Sequence, residues 1–183
     1  MTSSFESSRR GLFRGLAHKA QGKPMAVDAI RPPGALLAVE FIDRCSRCND
    51  CATACPEQII VRGDGGFPEL NFNSAGCTGC LECVAACQDQ ALLASLAQQP
   101  IGQVTIADNC LAKNSVTCQS CKDACDRDAI QFPITRATPE PMLNVDACNG
   151  CGDCVSVCPV NSIVIKPLVT VQNGQSKERV NIR

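Results

Sequence analysis

Cys148-Asn149-Gly150-Cys151-Gly152-Asp153-Cys154-Val155-Ser156-Val157-Cys158-Pro159 decides the fold. It reads C-x2-C-x2-C-x3-C-P. Three thiols spaced two residues apart sit on one tight loop and can hold three corners of a single [4Fe-4S] cube. Cys154 and Cys158 are four residues apart, so one helical turn can carry both. Where two such runs pair, the fourth Cys of each ligates the other run's cluster, so a lone run is incomplete.

The chain supplies the partners. All sixteen Cys fall into four runs: Cys45, Cys48, Cys51, Cys55; Cys77, Cys80, Cys83, Cys87; Cys110, Cys118, Cys121, Cys125; and Cys148, Cys151, Cys154, Cys158. Their first members recur at 45, 77, 110 and 148, an internal repeat that sets the architecture ahead of any propensity argument. The third run is irregular, because seven residues (Leu111 to Thr117) separate its first two Cys where the others have two. It either folds its Cys back onto a cluster or binds nothing. Disulfides have no need of this rhythm, and no usable signal peptide precedes the runs. Structural zinc uses C-x2-C pairs set well apart, whereas these Cys come in threes plus one.

The chain has 183 residues, with six Phe and no Trp or Tyr. That is thin material for an ordinary core, and units of this size need a metal staple. The net charge of −1 hides an asymmetry: residues 1–31 carry +4, residues 32–166 carry −7 and residues 167–183 carry +2. An acidic body, made more so by thiolate-bound clusters, argues against nucleic acid and suits docking to basic redox partners.

Residues 1–34 read as a basic arm with a stiff Arg31-Pro32-Pro33-Gly34 linker. Ser8-Arg9-Arg10-Gly11-Leu12-Phe13-Arg14 is similar to a twin-arginine export motif but lacks the apolar stretch that must follow, so export is not expected. Leu12, Phe13, Leu16 and Ala20 share one helical face opposite Arg and Lys, which reads as a partner-binding or membrane-surface helix or else a frayed basic tail. His18, the single His, reads as solvated. No run is long and apolar enough to span a membrane.

Two ferredoxin units are expected, 35–97 and 98–168, followed by a polar, frayed tail over 169–183. Each reads strand, ligand run, hairpin, ligand run, strand. The first has strands over 36–42 and 91–95, and a hairpin of 58–62 with 69–73 around Gly63-Asp64-Gly65-Gly66-Phe67-Pro68. The second has strands over 103–107 and 162–166, and a hairpin of 129–132 with 142–145. The fold class is α+β: tandem bacterial-type 2[4Fe-4S] ferredoxin units, small hairpins and short helices built around the clusters. Four [4Fe-4S] clusters per chain are expected, with all sixteen Cys as ligands where the third run folds its Cys back. Tandem pairing joins runs one with two and three with four, and nested pairing joins one with four around two with three. Spacing permits both.

Several stretches together resemble the NapF-type ferredoxins of the periplasmic nitrate reductase system. They are Ser8-Arg9-Arg10-Gly11, Ile30-Arg31-Pro32-Pro33, the Gly63 to Pro68 turn, Asp108-Asn109-Cys110-Leu111-Ala112 with its long gap, and Cys148-Asn149-Gly150-Cys151-Gly152. The resemblance covers nearly the whole chain and thins towards the C-terminus. It implies that Cys110 is a ligand despite the gap. It also implies a cytoplasmic iron–sulfur protein acting on the catalytic molybdenum subunit of nitrate reductase before export, assisting assembly or reduction of that subunit's own cluster. The other reading is a general polyferredoxin relaying single electrons between redox partners. An enzyme is not expected: there is no Gly-rich phosphate loop or Ser/His/Asp set, and no Cys is left over as a nucleophile.

Overall fold

The structure, a computed structural model, describes residues 29–134, 138–173 and 176–180. The basic arm, with Arg9, Arg10 and His18, lies outside the described residues, as does the middle of the Pro-rich turn at 135–137. Elements are short throughout. In chain order they are α1 (Ala38–Arg44), α2 (Asp50–Thr53), β1 (Ile60–Arg62), β2 (Pro68–Leu70), α3 (Glu82–Ala85), β3 (Gln103–Ile106), α4 (Ser120–Asp123), β4 (Ile130–Gln131), β5 (Met142–Leu143), α5 (Asp153–Ser156), β6 (Ile163–Lys166), β7 (Val169–Asn173) and β8 (Ser176–Val180). Every sheet among the described residues is an antiparallel pair: β1–β2, β3–β6, β4–β5 and β7–β8.

The tandem α+β plan stands. Both hairpins fall where alternation and turn residues place them, Ile60 opposite Leu70 in the first and Ile130 opposite Leu143 in the second. The outer strands of the second unit pair as β3 with β6, Val104 opposite Ile165, both buried. In the first unit the equivalent pairing shrinks to one bridge, Ala35 with Leu92. Hydrogen bonds from Leu36 N–H to the Ala91 carbonyl (3.0 Å) and from Leu93 N–H to the Gly34 carbonyl (2.8 Å) flank it. A Cβ at Gly34, whose φ is +77°, would run into the Leu93 carbonyl, so this approach needs glycine.

Three expectations are corrected here. Residues 36–42 do not form a strand, and the chain turns into α1 instead. The apolar run there buries only one helical residue, Phe41, while Val39 is 71% exposed, a one-sided pattern that suits a helix. Glu40 in the first turn and Arg44 in the last complement the helix dipole. The 91–95 strand likewise ends after Leu92 in a 3-10 turn, Ala94–Leu96. Within the tail, residues 169–173 and 176–180 are paired rather than frayed at the backbone, because β7 and β8 run antiparallel with Val169 opposite Val180.

The Arg31 to Gly34 stretch is part of the body rather than a free spacer. Pro32, Pro33 and Gly34 are buried, and Leu70 N–H donates to the Ile30 carbonyl at 2.8 Å. The Arg31 guanidinium lies 5.2 Å from the Phe41 ring centre and 5.7 Å from that of Phe67, and donates to the Pro68 carbonyl at 2.9 Å. One contiguous core runs through both units, and Cys51, Cys83, Cys110 and Cys154 are among its buried members.

Candidate metal centres

The ligand loops share one backbone design. In the three regular runs, the two residues on either side of the second Cys have positive φ: Arg47 and Asn49, Gly79 and Leu81, Gly150 and Gly152. Alternating left-handed residues curl each loop, so its three thiols face one space. The third residue after the last Cys is also left-handed in all four runs: Gln58, Gln90, Asp128 and Asn161. Each donates its N–H back to the carbonyl of that Cys, at 3.1, 3.4, 3.1 and 3.3 Å. This second position is hard to foresee from the residues, since Gln, Asp and Asn occupy it rather than Gly.

The third run solves its long gap locally. Ala112–Asn114 forms a 3-10 turn, and Ser115 (φ 63°) reverses the chain. The Asn114 amide donates to the carbonyls of Asp108 (2.7 Å) and Cys110 (2.9 Å), and Lys113 pairs with Asp108 at 3.1 Å. The inserted residues thus cap themselves and return Cys118 to the neighbourhood of Cys110.

Four groups of thiols result. Cys45, Cys48, Cys51 and Cys87 line a cavity of about 430 Å³. Cys110, Cys118, Cys121 and Cys158 line one of about 330 Å³, as do Cys125, Cys148, Cys151 and Cys154. Cys55 joins Cys77, Cys80 and Cys83, since it adds to the charge felt by both Cys77 and Cys83. Each group takes three Cys from one run and the last Cys of its partner run, in the tandem arrangement. All sixteen thiols are unbridged. Four thiols lining one space fit a multi-iron core.

Burial dominates thiol electrostatics. It pushes Cys51, Cys121 and Cys151 up to about 11, and Cys83 and Cys154 up to about 12, with neighbouring Cys adding to the shift. The Asp153 carboxylate adds to the rise at both Cys77 and Cys151. Four crowded thiolates in a dry site need a cationic core. Refilling one emptied site in the otherwise folded protein therefore releases protons and tightens with rising pH, continuing past the ordinary thiol value of 9.0. Above pH 9.0 the Cys148 group, with three raised thiols, should keep tightening more steeply than the Cys110 group, where Cys121 is raised but Cys158 lowered. Anaerobic iron-and-sulfide titrations above that pH check this, and equal slopes for the two groups there would contradict it.

Cys158 goes the other way. Burial raises it, but hydrogen bonds from the Ser162 hydroxyl and N–H, helped by the N–H groups of Val160 and Ile163, leave it below the ordinary value. Both Ser162 contacts to the Cys158 sulfur are 3.2 Å, and Ser162 is 1% exposed. The equivalent residues in the other runs are Ile59, Ala91 and Ala129, none with a hydroxyl. Hydrogen bonds to sulfur favour the more negative, reduced cluster. Ser162→Ala should lower the potential of the Cys110 group's cluster by roughly 40 mV, about 1 kcal/mol for a one-electron couple. EPR-monitored redox titration checks it.

Comparison with known proteins now bears on what these groups are. The 4Fe-4S dicluster domain family matches residues 44–91 and 116–173, one match per paired set of runs. The ferredoxin-type protein NapF of Haemophilus influenzae is 40% identical over 87% of this chain and 91% of its own length. The chain belongs to the NapF family of ferredoxin-type proteins. NapF of Escherichia coli K12 is 38% identical over 89% of this chain and 96% of its own. The methylamine utilization ferredoxin-type protein MauM of Methylorubrum extorquens is 29% identical over 83% of this chain. As a NapF-type ferredoxin the chain is an iron–sulfur electron carrier rather than an enzyme, with two dicluster domains for four [4Fe-4S] clusters. The second match begins at 116, beyond Cys110, so the irregular start of the third run falls outside the general dicluster pattern. No helix among the described residues is long and apolar enough to cross a membrane.

Proposed function

We propose that this NapF-type ferredoxin acts in the cytoplasm on the catalytic molybdenum subunit of the periplasmic nitrate reductase, before that subunit is exported. It assists assembly or reduction of the subunit's own [4Fe-4S] cluster. The observation that carries the reading is similarity to NapF proteins over almost the full length of both chains.

Within this reading the Cys45, Cys77, Cys110 and Cys148 groups each hold one cluster. The clusters supply one-electron chemistry when bound. The chain's part is to fix four thiolates round each, to exclude water and to aim hydrogen bonds at sulfur. Sixteen unbridged thiols suit a reducing compartment. Cys48 and Cys80 are exposed, so the two groups of unit 35–97 each have an edge a partner can approach. The arm at 1–28 provides a basic segment for contact, and unit 98–168 carries the other two clusters.

The test mixes iron-labelled holoprotein anaerobically with the reductase subunit lacking its cluster. Label and nitrate reduction appearing together in the subunit support assembly. Label staying put while dithionite-reduced holoprotein is oxidised by the cluster-loaded subunit supports reduction. Absence of both transfers refutes the partner assignment. Deleting the basic arm (residues 1–28) should weaken capture of the subunit and leave iron content unchanged.

A further inference from the structure

The two units meet through their ligand loops. Cys77 N–H donates to the Cys151 carbonyl at 2.7 Å, a backbone hydrogen bond between the first Cys of one unit's second run and the middle Cys of the other unit's last run. Two buried glycines, one from each unit, make the approach possible. A Cβ on Gly76 would collide with the Asp153 carboxylate and backbone N–H, and a Cβ on Gly152 would enter the Phe72 ring. Each unit leaves out a side chain where the other inserts one. Within units, the adjacency is set by short helices: α2 bearing Cys51 packs against α3 bearing Cys83, and α4 bearing Cys121 against α5 bearing Cys154.

We infer that the Cys77–Cys151 hydrogen bond, with Asp153 beside it, joins the two units into one series of clusters. The order is the Cys45, Cys77, Cys148 and Cys110 groups, which is not the order of the runs in the sequence. The inference rests on the cluster assignment above but needs no particular partner. An electron crossing the seam makes or breaks no bond and moves no proton: one cluster is oxidised by one electron as its neighbour is reduced by one. The first electron comes from a one-electron reductant, dithionite in the test. The Asp153 carboxylate stands between the two middle groups and disfavours added negative charge on both.

The test is EPR on the holoprotein during stepwise dithionite reduction, with Cys80→Ser and Cys148→Ser used to assign the two middle signals. The expected result is mutual broadening of the Cys77-group and Cys148-group signals once both are reduced. Asp153→Asn, close in volume, should shift both middle midpoints upward and leave the outer two unmoved. Independent middle signals in the native holoprotein would overturn the series. So would an Asp153→Asn shift confined to the Cys148 group. If Asp153→Asn loads poorly with iron, the native measurement still decides. Both readouts use this protein alone, so they can fail while iron or electrons still reach nitrate reductase, and they can succeed when neither does.

Discussion

Stripping iron from the anaerobic holoprotein with a chelator is expected to unfold most of the chain. The reason lies in how little else holds it. Four of the helices have four residues each, below the length at which a helix is stable alone. Every sheet among the described residues has two strands, marginal without support. Among the described residues the buried set includes four Phe, with Cys51, Cys83, Cys110 and Cys154 among its apolar members. Structural metal sites of zinc-finger size contribute on the order of 10 kcal/mol, comparable to the whole stability of a small domain. Far-UV circular dichroism should collapse on chelation and return on anaerobic reconstitution. Native-like dichroism in fully stripped protein would show that the polypeptide core suffices.

Cys87→Ser should disable the cluster of the first run, not that of its own. Cys87 stands with Cys45, Cys48 and Cys51 around one cavity, while Cys77, Cys80 and Cys83 are completed by Cys55. Iron content should fall by about a quarter, and the lost EPR signal should be the one that Cys48→Ser also perturbs. Cys55→Ser should do the reverse and match Cys80→Ser. The pair of experiments distinguishes tandem from nested pairing, because nested pairing ties Cys87 to the third run.

Much of this was legible in the residues and some was not, for definite reasons. The cysteine repeat, the Gly/Asp-rich turn of the first hairpin and the Pro-rich turn of the second located both hairpins, because each signal is local. Pairing of the runs was left open, since tandem and nested arrangements need the same sixteen ligands. Closure of the units, through β3 with β6 and Ala35 with Leu92, accompanies the tandem arrangement. The 36–42 segment misled because a short apolar run fits strand and helix alike, and only the burial of Phe41 with Val39 left exposed separates them. The reciprocal placing of Gly76 against Asp153 and Gly152 against Phe72 could not be read from spacing. Gly in a ligand loop already has a local reason, the left-handed backbone, which conceals a second one across the seam. The role of Ser162 was equally hidden, because one hydroxyl among three apolar equivalents matters only once its 3.2 Å contact to Cys158 is known.

The central claim is that all four thiol groups, the irregular Cys110 group included, hold [4Fe-4S] clusters. Iron and acid-labile sulfide should be measured on anaerobically purified wild-type protein and on Cys110→Ser, with Mössbauer spectra to identify the cluster type. The account predicts about sixteen irons and as many sulfides per wild-type chain, and about a quarter fewer in Cys110→Ser. About twelve irons in both proteins would contradict it and leave the third run without a cluster.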